Sequence, residues 1–231
     1  MVNRSHCQCD PKCSRKPLPG HAFCKVHMKF CGRRSPLTGF EPSYNPNKYN
    51  GTRKMRESHN CFAYAFDHVE MPPDYECNEN ICNTPFHQPG RKSGFPKWSE
   101  SKGKRCPDLI SRLRADIPGI KTVSFSEKCP VGTSKIALAV APDKEDAKRS
   151  GDYHFWRQDN NGMWSHKPGG TEVTNKDASK KPIYDPSLAD RNYGDRLNYK
   201  YFCSFLCAPK KQRLTFKRGG KNRHTRRKSK V

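Results

Sequence analysis

Apolar side chains are scarce in this chain and come in short runs, and that restricts its fold more than any other feature. The runs are CFAYAF at 61–66, LISRL at 109–113, KIALAVA at 135–141, DYHFW at 152–156 and YFCSFLCA at 201–208, separated by long polar stretches. With 32% apolar residues and 19 prolines in 231 positions, a core has to be assembled from these pieces across irregular connections. No stretch of eighteen apolar residues occurs, so no membrane span is expected. The length suits one main domain with appendages.

The runs differ in period. From Ser58, the residues Phe62, Tyr64, Ala65, Phe66 and Val69 mark a helix face; Ser58 or Asn60 can cap its start, and Pro72-Pro73 stop it. CPDLISRLRADI, with Leu109, Ile110, Leu113 and Ile117, has the spacing of a second helix. KIALAVAP reads as a buried strand, DYHFWRQ and MWSHK flank a DNNG hairpin turn, and YKYFCSFLCAP offers a further strand. Helix first and antiparallel strands after is the α+β pattern. The expected organisation is a Cys/His knot over 1–34, a Pro/Asn/Gly linker over 35–57, a domain over 58–208 and a basic tail over 209–231.

The formal charge is +23, and residues 208–231 hold eleven Lys or Arg and no acid. A run of that kind stays solvated until a polyanion neutralises it, so nucleic acid or an acidic protein surface is the expected partner, with a nuclear address or a solubilising tail as the alternatives. The amino terminus MVNRSHCQCD lacks the apolar centre of a secretory signal. The twelve cysteines are therefore expected in a reducing compartment, as metal ligands or reactive thiols rather than a disulfide framework.

In the knot, Cys9, Cys13, Cys24 and His27 have finger-like spacing, with Cys7 or Cys31 as substitutes. Thiolates with imidazole favour zinc, and so small a knot has little apolar surface with which to fold unaided. Cys77 and Cys82 can share a second metal, or a disulfide with Cys106 or Cys129. Cys203 and Cys207, four apart on a strand, are expected on one face.

Cys61 falls in the first turn of the first helix, where the dipole and unpaired N–H groups favour a thiolate. His154 lies on the first hairpin strand, and His166 returns beside it across the turn. Asp152, Asp159 and Asn160 are alternative orienting groups, though Asp159 and Asn160 are also what a turn requires. Asp177 and Asp185 sit in a polar loop able to wall a groove. Taken singly, a Cys in a helix is more often a small core residue, and a His beside aromatics more often a satisfied interior one.

A Cys opening a helix, followed by His154, eleven residues and His166 around a hairpin, resembles the NlpC-type papain-like hydrolases. The resemblance implies a papain-like fold, with the Cys61 helix packed on a small antiparallel sheet. Cys61 would be nucleophile, His154 base and His166 orienter, with Tyr64 or Asn60 near the oxyanion, in a peptidase or amidase. SHNCFAYAFD, DYHFWRQDNNGMWSHKPGG and RGGKNRHTRRKSK together resemble uncharacterised proteins of large DNA viruses of algae and protists. That likeness implies a virion-associated protein, made in host cytoplasm or nucleus, with capsid proteins or genome as partners. The alternative within it is a non-catalytic minor capsid or cement protein on the same fold.

Overall fold

The computed structural model describes residues 13–16, 24–27, 34–78, 80–98, 105–141, 151–194 and 197–209. Cys9 and the basic tail from 210 onward lie outside the described residues. Among the described residues, four helices, α1 (Asn47–Asn50), α2 (Arg53–Ser58), α3 (Cys61–Ala65) and α4 (Cys106–Asp116), precede five strands. The strands are β1 (Lys121–Val123), β2 (Thr133–Ala141), β3 (Asp152–Gln158), β4 (Trp164–Ser165) and β5 (Tyr201–Pro209). They form one antiparallel sheet in the order β1-β5-β2-β3-β4. The fold class is α+β, and among the described residues no helix is long and apolar enough to cross a membrane.

β2 and β3 are buried along almost their whole length, as strands covered on both faces must be. On one face Ile136, Leu138, Val140, Tyr153, Phe155 and Leu206 pack against α3 and α4 through Cys61, Phe62, Leu109, Leu113 and Ile117. On the other, Ala137, Ala139, Trp156 and Phe205 pack against Trp164, Ile183 and Tyr199, so the loops after β4 serve as a second cover. The scarce apolar residues are divided between two thin layers rather than pooled in one.

α3 starts as expected, with the Asn60 carboxamide oxygen accepting from Ala63 N at 3.1 Å, an N-cap. It ends a turn earlier than its apolar spacing predicts. Asp67 has a left-handed backbone, φ 52°, which short polar side chains tolerate. Its carboxylate takes Arg157 at 2.9 Å and Lys48 at 2.7 Å, and Val69 is left exposed.

The segment 35–57 is not an open linker. It holds α1 and α2, with Tyr49 fully buried. The Ser35 and Ser43 carbonyls accept from Gln158 Nε2 at 2.8 Å and Arg157 Nη2 at 3.1 Å. Long buried side chains of β3 thus satisfy a backbone that composition alone would leave in solvent.

Among the described residues, six cysteines are joined in pairs, Cys77–Cys82, Cys106–Cys203 and Cys129–Cys207, where the sequence favours a reducing compartment and leaves metal or disulfide open at these positions. Cys203 and Cys207 also do not share a face. β2 pairs Leu138 with Ser204 and Ala139 with Phe202, so Cys203 is the extra residue of a β-bulge. The bulge inverts the side-chain parity, sending Cys203 to α4 and Cys207 to the loop at Cys129.

Candidate functional site

Tyr153 and Phe155 share a core cluster with Cys61. Because successive strand residues face opposite sides, His154 between them points away from α3. Its ring lies instead against Trp156 and Tyr199, centroids 4.6 and 5.1 Å away, in the opposite layer. The structure therefore brings His154 and His166 together, Nε2 to Nδ1 at 2.7 Å, and leaves Cys61 across the sheet from both.

The histidine pair has a definite proton arrangement. His166 Nε2 donates to the Lys176 carbonyl at 2.9 Å, which leaves its Nδ1 as the acceptor for N–H from His154. Both rings are buried, 2% and 0% exposed. Burial drives His166 down to about 4 and, with the neighbouring ring adding to the effect, holds His154 well below its ordinary range. The arrangement is a neutral interior hydrogen-bond chain, closed off from substrate.

As pH falls below about 6.5, the unfolded chain takes up protons before the folded one. The stability tied to these neutral rings is thus complete above that pH and is lost on the way down towards about 4. His59, lowered to about 4 chiefly by burial, adds an effect of the same sign. The urea midpoint should fall between about pH 7 and about pH 5. A flat midpoint would mean that the rings titrate freely in the folded chain.

Cys61 sits at the first helical position, as expected, but α3 has only five residues, too short for its dipole to offset burial. Burial pushes the thiol up to about 12, with the Asp152 charge acting in the same direction. Its sulfur has a Tyr153 carbonyl at 3.9 Å. Lys167 lies on this face too, but its ammonium is committed to the Arg56 and Gly169 carbonyls. Tyr64 bonds Ser165 Oγ at 2.7 Å, and Asn60, besides capping α3, donates to the His87 carbonyl at 2.8 Å. Neither is left to serve an oxyanion.

The acids have structural tasks. Asp152 accepts from Tyr199 Oη at 2.8 Å, and Asp159 binds Arg157 at 3.1 Å. Asp177 accepts from the backbone N–H of Lys181 and Asp190, at 2.9 and 3.1 Å. Asp185 accepts from Ser187 N and Oγ. The loop these two acids brace does wall a cleft of about 400 Å³, lined by Ile183, Leu188, Asp190 and, from the knot, Val26 and His27.

In the knot, Cys13 and Cys24 sulfurs are 3.9 Å apart and Cys24 Sγ is 3.4 Å from His27 Nδ1. One ligand atom from each of the three lies within 4.8 Å of the others. Cys13, Cys24 and His27 thus form a cluster able to bind a metal ion, three of the four residues picked out by spacing. A second convergence, of His68, Glu70 and His87, was not legible in the sequence, because His87 returns to the other two only through an irregular loop.

No family model matches the chain, and no solved structure matches it. A protein of Ruditapes philippinarum, Insoluble matrix shell protein 1, is 35% identical to it over 153 residues, which are 66% of this chain and 84% of that protein. Identity at that level, held across most of the relative's length, makes the chain a member of the same family as that matrix shell protein.

Proposed function

We propose that this chain is a non-catalytic structural protein of an insoluble matrix, a disulfide-stapled sheet whose basic flanks engage an acidic polymer. The observation that carries the reading is the placement of Cys61 and the His154–His166 pair on opposite faces of the sheet. A thiol hydrolase needs nucleophile and base within hydrogen-bond reach. The disulfides support assembly in an oxidising compartment, and a relative in the same family is named as a matrix shell protein. The formal charge of +23 suits a polyanionic neighbour. In the knot, soft thiolates with imidazole favour zinc, as a fold-organising rather than a catalytic ion. Service as a cement in a virion, implied by the resemblance to viral proteins, would call on the same staples and basic ends.

Two measurements on the intact chain test the proposal. Iodoacetamide should label Cys61 far more slowly in the native protein than in urea, since only the thiolate reacts and burial suppresses it. Binding to a sulfated polysaccharide should weaken steeply with salt and be lost on deleting residues 210–231. Rapid native labelling of Cys61 that slows in His154→Ala would restore the hydrolase reading. Binding unchanged by the deletion would remove the tail from the proposal.

A further inference from the structure

Beyond the knot, the region just after α3 gathers a different set of donors. His68 Nε2 lies 3.4 Å and His87 Nε2 3.9 Å from the same oxygen, Glu70 Oε2. The two imidazole rings meet edge to face with centroids 4.9 Å apart, and one ligand atom from each of the three residues lies within 4.8 Å of the others. Donors bonded tetrahedrally to zinc at about 2.0–2.1 Å stand about 3.3 Å from one another. One contact already has that spacing, and binding would have to draw the others, within 4.8 Å, closer by side-chain rotation of Glu70 and His87.

The backbones of all three residues are tethered. His68 N donates to the Ala63 carbonyl at 2.9 Å, and the His68 carbonyl accepts from Tyr49 Oη at 3.2 Å. Glu70 N donates to His59 Nε2 at 3.1 Å, and the His87 carbonyl accepts from the Asn60 cap residue at 2.8 Å. Much of the ordering that metal binding demands of a loop is thus already in place. The imidazoles are mostly covered, 12% and 14% exposed, while the Glu70 side chain, 47% exposed, sits at the rim.

We propose that His68, Glu70 and His87 form a second metal site, for a divalent transition ion of the zinc class, with its remaining coordination position facing outward. Two nitrogens and one carboxylate suit zinc, copper or nickel, whereas calcium and magnesium take oxygen shells. The outward position holds water or a carboxylate from an acidic neighbour. A third protein ligand of the oxygen type separates this site from the thiolate-rich knot.

The test uses the full chain, stripped of metal, with Cys7, Cys9, Cys13, Cys24 and Cys31 all changed to serine to silence the knot. That variant should bind one equivalent of Zn²⁺ by calorimetry and take up Co²⁺ without the intense near-ultraviolet sulfur-to-cobalt band. Glu70→Gln, at the exposed rim, should weaken Zn²⁺ binding by at least about tenfold, the low end of what loss of even an outer-shell partner costs. His87→Ala should abolish it while the far-ultraviolet circular dichroism is unchanged. Failure of the serine variant to bind Zn²⁺, affinity unaltered by Glu70→Gln, or calcium bound as tightly as zinc would each overturn the proposal.

Discussion

Changing Cys106 and Cys203 together to serine should lower the unfolding free energy by about 4–5 kcal/mol in the chain-entropy account of cross-links. The bond closes a loop of 97 residues and anchors the bulge of β5 to α4. Cys129–Cys207, closing 78 residues, should be worth nearly as much. Against the total of about 5–15 kcal/mol usual for a folded chain, losing both leaves little margin. Urea titration of the oxidised protein and of each double-serine variant measures the effect. A change below about 1 kcal/mol for Cys106/Cys203 would mean that α4 and β5 stay docked on apolar contacts alone.

Arg157→Leu should cost about 3–5 kcal/mol, the range seen when one partner of a buried ion pair is removed. The guanidinium, 1% exposed, binds Asp159 at 3.1 Å, Asp67 at 2.9 Å, the Tyr64 carbonyl at 3.2 Å and the Ser43 carbonyl at 3.1 Å. It also lies 3.9 Å from the centre of the Tyr64 ring. One side chain therefore holds β3, α3 and the 35–57 segment together. Burial already raises Asp159 to about 6 despite the arginine's opposing pull, and without Arg157 the carboxyl rises further. A carboxyl raised in the folded state penalises folding once pH exceeds its unfolded value, so the deficit of the variant should widen from about pH 5 to about pH 7.5. A deficit independent of pH would assign the loss to packing rather than to the stranded acid.

The elements that local chemistry governs were readable in the sequence. Asn60 caps α3, Leu109 and Leu113 form the inner face of α4 with the cap residue Ile117 beside them, and DNNG turns the hairpin, with Gly162 at φ 81°. What depends on which face meets which partner was not. DYHFWRQ reads as a strand on any count, but both faces of β3 are covered, so nothing in its pattern says that Tyr153 and Phe155, rather than His154, look toward Cys61. The parity of Cys203 and Cys207 fails for a related reason, since the bulge arises from pairing with β2. The 35–57 segment looks like a spacer because the arginine and glutamine that occupy its carbonyls lie more than a hundred residues away.

The position of β5 affects how the molecule is made. Last of the described strands in sequence, it lies between β1 and β2, with Lys121 beside Cys207 and Ile136 beside Leu206. β2, β3 and β4 can pair with one another without it, but β1 joins the sheet only through β5, and until β5 is made Cys106 and Cys129 are without their mates. Closure of the sheet is then a late, long-range step, and wrong disulfide pairings have to be corrected by thiol exchange before this strand locks in.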